Sequence, residues 1–339
     1  MKSKEEPLPA PSELSAATQG ARVAVLGAGA VGSYFGGMLA RAGAQVTLIA
    51  REAHVQAIRR SGLFLDTVTF QERVHPRAST EVSTARDSEF VLFCVKTVDT
   101  EEAAGLLAPH LAPGAIVISL QNGVDNVARI RTSSGIDALP AVVYVAAALP
   151  EPGRVKHSGR GEIIAGELPS NAHATGSQPA RPERVAALFT GAGVPCRVSP
   201  NIEIDMWTKM LMNCAGNAVT AIAQTSFAHA ARNLQIREVM GQVIEETVKV
   251  GRASGVQLPE AGWVEKGIKN AEGLGEATSS TAQDIARGKR TEIDSLNGYI
   301  VRRGAELGIQ VPVSATLTAL VKLIEERNVQ KGRPAASSQ

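Results

Sequence analysis

Aromatic side chains are scarce in this chain: phenylalanine, tyrosine and tryptophan make up 4% of its 339 residues. Cysteine is scarcer, with only Cys94, Cys196 and Cys214. Their number is odd and their spacing is not that of a metal knuckle. That leaves no basis for a disulfide framework or a metal site, and the three are read as free thiols of a reducing, cytoplasmic compartment. A dominant charge is missing too. Lys and Arg number 35 against 33 Asp and Glu, a formal net charge of +2. Such a balance carries neither a nucleic-acid footprint nor an acidic tail. No run reaches the ~18 apolar residues of a membrane helix. No basic start leads into an apolar stretch, as it would in a secretory signal.

What is present is ample material for a core, at 44% hydrophobic residues, and a length comfortable for two domains. The first twenty residues are polar with three prolines and predict a disordered leader, 1–20. A disordered tail is expected over 330–339. Between them the pattern changes once. Up to about residue 200, buried-strand candidates alternate with helical stretches. "RVAVLGA", "QVTLIA", "FVLFCV" and "AIVISL" are the strands, with helices expected near 30–42 and 52–60. That alternation predicts an α/β domain, 21–200, built on a doubly wound, Rossmann-type parallel sheet. Short alternating strands are expected at 63–75 and again at 141–167, where Gly159 and Gly161 predict a turn. Residues 169–183, "PSNAHATGSQPARPE", read as a surface loop. From 201 to 329 the strands stop, and long helical patterns predict an all-helical domain.

The stretch "RVAVLGAGAVGSYFGG" carries Gly27, Gly29 and Gly32 in a G-x-G-x-x-G pattern. Alone this is weak, but here it follows a strand, opens a helix and lies in a βαβ unit, the context of a dinucleotide fingerprint. Gly27, Ala28, Gly29, Ala30, Val31 and Gly32 are the candidate phosphate cradle, with the positive end of a helix behind them. The second strand ends "LIARE", placing Arg51 and Glu52 where the adenosine ribose is read. An acid there holds the hydroxyls of NAD, and an arginine suits the 2′-phosphate of NADP. Arg51 is nearer the strand end and favours NADP, with Glu52 keeping NAD open. Lys96 and Asn122 stand just past two further strands, on the edge where ligands of such sheets bind. Lys96 can also be a surface charge, and Asn122, before Gly123, a plain turn residue.

The helical half holds a sharper pattern. In "IDMWTKMLMNCAGNAVTAI", Lys209, Asn213 and Asn217 recur every four residues in an otherwise apolar helix, forming one polar row. Unpartnered buried polar groups cost ~1–3 kcal/mol each, so the row needs a purpose unless it is a narrow solvated face. A lysine there suits carbonyl reduction. It can stabilise charge on the oxygen and deliver the proton, and burial would draw its pKa towards working pH. Further on, Ser280 and Glu292 are candidates for the same site. Glu292 also reads as an ordinary acid at a helix start.

With these clusters in view, the chain resembles the ketopantoate reductase (2-dehydropantoate 2-reductase) family over about residues 21–328. The likeness rests on "LGAGAVGSYFG", "CVKTVD", "LQNGVDN", "HSGRGEIIAGE", "WTKMLMNCAGNAVTAI" and "SSTAQDIARGKRTEIDSLNGYIVRRGAELGIQVPV". It implies NADPH-dependent reduction of a small 2-oxo acid, ketopantoate, to pantoate on the path to coenzyme A. It implies Lys209 as proton donor and Glu292 as a ribose contact that helps assemble the site. Asn213, Asn217 and Ser280 would hold substrate, and Lys96 and Asn122 would touch cofactor and substrate. A homodimer, formed through the helical domain, is implied as well. Two positions depart from the family pattern: Phe227 and Ala277 stand where members often carry asparagine. A reductase of another branched 2-oxo acid, or an NADP-binding redox sensor without turnover, are the alternatives.

Overall fold

The computed structural model describes residues 17–169 and 180–332. Most of the expected leader and tail, and most of the 169–183 loop, lie outside the described residues. Residues 17–20, assigned to the leader on polarity, form a turn instead. The Thr18 hydroxyl is fully buried and donates to the Leu188 carbonyl at 2.8 Å. A short polar segment can be packed when each polar group finds a partner, which composition does not reveal. Helix also begins inside the expected loop, at Arg181, with Pro182 in its first turn, a position proline favours. The chain forms two compact units that divide between Asp205 and Met206.

The first unit is a ten-stranded sheet flanked by helices. Its strands are β1 (Arg22–Leu26), β2 (Gln45–Ile49), β3 (Leu63–Asp66), β4 (Gln71–Val74), β5 (Arg77–Ser79), β6 (Phe90–Phe93), β7 (Ile116–Ser119), β8 (Leu139–Glu151), β9 (Arg154–Ala165) and β10 (Cys196–Val198). The helices are α1 (Ala30–Arg41), α2 (Glu52–Ser61), α3 (Thr100–Leu107), α4 (Asn126–Ser134) and α5 (Arg181–Gly191). Strands run in the order β4-β3-β9-β8-β7-β6-β1-β2-β5, and β10 adds to β9. From β8 to β5 every pairing is parallel. The β8–β9 and β3–β4 pairs are antiparallel, so the expected parallel sheet carries a mixed extension. Period-2 alternation sorts β1 onto two cores. Val23 and Val25 pack with Phe35, Met38 and Leu39 of α1. Ala24 and Leu26 pack with Ala104, Leu107 and Ile130 on the opposite face.

Helix α1 presses unusually close to the sheet. A Cβ built on Gly36 would lie 2.7 Å from a Leu48 methyl, and one on Gly37 2.5 Å from a Leu65 methyl. The turn expected at Gly159–Gly161 lies elsewhere. The chain reverses at Pro152–Gly153, and the two glycines lie at a bulge within β9. There Tyr144 pairs with Glu162 while Val145 pairs with Arg160, which leaves Gly161 over. Arg160 takes φ 59° at the bulge, and a Cβ on Gly161 would meet the Tyr34 hydroxyl at 3.0 Å.

The second unit is helical: α6 (Ile202–Ala223, whose first turn falls in the first unit), α7 (Phe227–Arg232), α8 (Leu234–Ala253), α9 (Trp263–Gly273), α10 (Ser280–Ala286), α11 (Asn297–Glu306) and α12 (Pro312–Gly332). Trp207 of α6 sits edge-to-face on Tyr299 of α11, ring centroids 6.2 Å apart. It also fills the space over Gly251 of α8, where a Cβ would lie 2.8 Å from the indole. Buried Glu246 of α8 accepts the backbone N–H groups of Val313 and Ser314, both at 2.8 Å, and so caps α12. Among the described residues no helix is long and apolar enough to cross a membrane.

Candidate functional site

The glycine loop joins β1 to α1. Gly27 has φ +86°, and its backbone is so enclosed that a Cβ would fall 2.6 Å from the Val95 nitrogen. The Gly27 and Ala28 N–H groups donate to the Ile49 carbonyl at 3.1 and 2.9 Å, which ties the loop to the end of β2. Gly32 is enclosed as well, with 2.8 Å from a notional Cβ to both the Gly27 carbonyl and a Val25 methyl. Gly29 is different. Its Cβ would meet nothing closer than the Gly27 oxygen at 3.9 Å. Gly27 and Gly32 therefore shape the loop, while Gly29 leaves its outer side bare. The first N–H groups of α1, from Ala30 on, are those a helix leaves unpaired, and its first turn holds no acid to compete for them. That is the form of a pyrophosphate cradle, and the residues fit a dinucleotide.

Arg51, exposed, stands two residues past the end of β2, and its carbonyl starts α2 by accepting from the N–H groups of His54 and Val55. Glu52 is exposed beside it. Lys96 is exposed just beyond β6, at the head of a 3-10 turn over Thr97–Asp99. Asn122, half-buried, lies just beyond β7. A buried network that the sequence did not disclose ties these two loops together. The Gln121 amide donates to the Val95 carbonyl at 3.1 Å and to the Thr100 hydroxyl at 2.8 Å, and its oxygen accepts from Ser119 at 3.1 Å. The Asn126 amide donates to the Asn122 carbonyl at 2.7 Å. Arg129 donates to the Thr97 carbonyl and grips Glu101 through two hydrogen bonds of 2.6 and 2.7 Å. Those bonds hold the Glu101 carboxyl below the usual carboxylate range. The partners that join one loop to the other lie 21 to 32 residues apart, so no local spacing marks them.

In the second unit, α6 carries the polar row. Lys209 and Asn213 are half-buried and Asn217 is buried. At about 100° per residue, Gly216 and Thr220 share the face of Lys209 and Asn213. The Phe227 ring lies on Gly216, 2.6 Å from where a Cβ would stand. The Phe227 N–H donates to the Ala277 carbonyl at 3.0 Å, so the two departures from the family pattern are neighbours in space. Thr220 Oγ1 lies 2.7 Å from Ser279 Oγ, which accepts the Ala282 N–H and caps α10. Ser280, next in the chain, is exposed at the first position of that helix.

Glu292 is half-buried and heads a 3-10 turn over Ile293–Ser295, not the α-helix expected from Ile293. The chain turns again at Leu296 before α11 begins at Asn297. Both sides of Glu292 are pinned to α12. The Thr291 N–H donates to Glu325 at 2.6 Å, and Lys322 holds both oxygens of Asp294 at 2.8 and 2.9 Å. The Asn297 amide donates to the Cys214 carbonyl at 3.0 Å, which fastens this segment to α6. Thus Lys209, Asn213, Asn217, Ser280 and Glu292 belong to one packed unit, and the glycine loop, Arg51, Lys96 and Asn122 to the other.

Comparison with known proteins places this arrangement. A family model described as ketopantoate reductase PanE/ApbA matches residues 23–170, and one for the C-terminal part of the same enzyme matches 201–325. A 2-dehydropantoate 2-reductase of Halobacterium salinarum is 35% identical over 307 residues, covering 90% of this chain and 99% of its own length. A crystal structure of a PanE/ApbA family ketopantoate reductase from Ralstonia eutropha has a TM-score of 0.82 at 47% identity, covering 91% of this chain and 99% of that one. D-mandelate dehydrogenase, in a ternary structure with NADH and anilino(oxo)acetate, has a TM-score of 0.82 at 25% identity, covering 91% and 99%. The two family models take in both units, and the chain belongs to the ketopantoate reductase family.

Proposed function

We propose that this protein reduces the 2-oxo group of 2-dehydropantoate to give pantoate, with NADPH as its cofactor. The observation that carries the reading is the pairing, in one chain, of a glycine loop bare over Gly29 with a lysine–asparagine row on α6. The bound dihydronicotinamide supplies a hydride to the carbonyl carbon. Lys209 places its ammonium at the carbonyl oxygen, where it stabilises the growing negative charge and gives up the proton. Asn213, Asn217 and Ser280 donate hydrogen bonds to the substrate carboxylate and hydroxyl. Glu292 accepts from the cofactor ribose, and Lys96 and Asn122 line the same site.

Arg51 supports NADP over NAD, because an exposed guanidinium past β2 suits a 2′-phosphate. Glu52 and the NADH in the D-mandelate dehydrogenase structure support the opposite choice. A homodimer in the cytoplasm completes the reading. The assay is the loss of NADPH absorbance with a panel of 2-oxo acids. Turnover with 2-dehydropantoate above all others supports the proposal, and none with any of them refutes it. The apolar wall of Phe227 beside Ala277 favours a second reading, a different branched 2-oxo acid that needs fewer polar contacts. The same panel ranks the two.

A further inference from the structure

A buried relay runs from the tip of the β8–β9 hairpin to the glycine loop. The Gly153 N–H donates to His54 Nδ1 at 2.9 Å. Across the ring, Nε2 lies 3.0 Å from Ser33 Oγ. Ser33 Oγ in turn donates to the Ala28 carbonyl at 3.0 Å. A backbone N–H can only donate, so Nδ1 must accept and the proton of the neutral ring sits on Nε2. Nε2 then donates to Ser33, whose hydroxyl proton goes to Ala28. The Ser33 N–H also donates to the Gly29 carbonyl at 2.8 Å. That second bond is the ordinary main-chain bond of the first helical turn, so the hydroxyl of this fully buried serine is what holds the Ala28 carbonyl, and the histidine behind it is 8% exposed.

We propose that His54 is a positioning residue for dinucleotide binding: in its neutral form it orients the Ser33 hydroxyl, which fixes the Ala28–Gly29 peptide in the pose that receives phosphate. The proposal rests on the reading of the glycine loop as the dinucleotide cradle. Protonation would place a second N–H on Nδ1, donor against donor with Gly153, and would break the relay at its far end. The surroundings supply little to stabilise that charge. The first turn of α1 holds no acid. At the hairpin tip Glu151 is paired with Arg154 at 3.5 Å, β5 brings the exposed Arg77, and α2 itself brings the exposed Arg51 and Glu52. Burial keeps the His54 pKa below the ordinary histidine value. Loss of cofactor affinity on acidification should therefore begin below that value and deepen as pH falls.

The test is calorimetric titration with NADP⁺ against the wild-type protein, His54→Gln, His54→Asn and Ser33→Ala. Glutamine sets its amide nitrogen near the place of Nε2 and keeps the bond to Ser33. Asparagine sets its amide oxygen near the place of Nδ1 and loses that bond. At about pH 7.5, His54→Asn and Ser33→Ala should bind about tenfold more weakly, the worth of one buried hydrogen bond, and His54→Gln close to wild type. The 2′-phosphate titrates near pH ~6 in every variant, so the informative quantity is the difference. Towards about pH 5 the wild type should lose affinity beyond the loss in His54→Gln, which has no ring to protonate. Thermal midpoints without ligand should fall alike for His54→Gln and His54→Asn, so a merely structural role would not separate them. Equal affinities for these two, or an unchanged pH profile in His54→Gln, would overturn the proposal. A wild-type protein that binds neither NADP⁺ nor NAD⁺ would instead overturn the reading of the loop, and the proposal with it.

Discussion

Alanine placed at Gly29 and at Gly27 should separate what the loop does for a ligand from what it does for the fold. At Gly27 the new methyl would stand 2.6 Å from the Val95 nitrogen and 2.8 Å from the Cys94 carbonyl carbon, on a residue with φ +86°. The left-handed backbone costs ~1–2 kcal/mol, and overpacking against main chain adds ~1–3 kcal/mol. Together these make about 2–5 kcal/mol. A folded unit of this size loses ~2–4 °C of melting temperature per kcal/mol, so Gly27→Ala should melt about 4–20 °C lower. At Gly29, φ is −76° and the nearest atom is 3.9 Å away. Gly29→Ala should stay within ~0.5 kcal/mol of wild type, as surface changes do. Its methyl would nevertheless occupy the bare side of the loop, and dinucleotide affinity should fall tenfold or more, about 1.4 kcal/mol. Differential scanning fluorimetry reads the first effect and calorimetric titration with NADP⁺ the second. A Gly29→Ala protein that binds as tightly as wild type would show that phosphate does not approach there. A Gly27→Ala protein that melts like wild type would show that the loop is less enclosed than described.

Lys209→Ala should lower kcat by ~10²–10⁴-fold, the usual cost of a lost general acid, and leave NADP⁺ affinity nearly unchanged; full turnover with chemistry rate-limiting would assign the proton elsewhere. Arg51→Ala should raise KM for NADPH ~10–100-fold while sparing NADH, the value of one charge-assisted contact; equal losses would point to Glu52. Burial pushes the Cys196 thiol up to about 12 and raises Cys94 and Cys214 as well. Only the thiolate reacts, so iodoacetamide should label the native protein more slowly at mildly alkaline pH than the urea-unfolded chain, most of all at buried Cys214, and equal rates would contradict the raised thiols.

The parts of this molecule that the sequence discloses are those whose signal is local. The glycine spacing is one, because its three positions fall within one short strand-to-helix connection and can be counted along the chain. The polar row on α6 is another, because four-residue spacing on a helix is a statement about one face. Where partners are distant, local spacing says nothing. Gln121 reads as a turn residue until Val95 and Thr100 are brought alongside. His54 looks like any surface histidine until the hairpin tip, 99 residues later, arrives at its ring. Gly159 and Gly161 mislead for a related reason. Glycine marks a turn and a bulge equally well, and only pairing with β8 and the approach of Tyr34 tell them apart. Glu292 sits on a tighter turn than expected because Leu296 leaves the helical region and because Thr291 and Asp294 are tied to α12.

The glycines that let α1 lie so close to the sheet also bear on when that helix can form. Gly32, Gly36 and Gly37 each disfavour an isolated helix by ~1 kcal/mol relative to alanine, and a twelve-residue segment is marginal in water even with good helix formers. The compensating contacts come from Val25 of β1, Leu48 of β2 and Leu65 of β3, which must already be in register to receive it. Helix α1 should therefore form late in folding, and the glycine loop at its head should order with it. Pulsed hydrogen exchange during refolding should find α1 amides protected after those of β1 and β6, and the opposite order would mean that the helix nucleates the sheet. Nascent chains that expose only the first βαβ unit should be unable to capture cofactor, which ties ligand competence to completion of the first unit and not to synthesis of its motif.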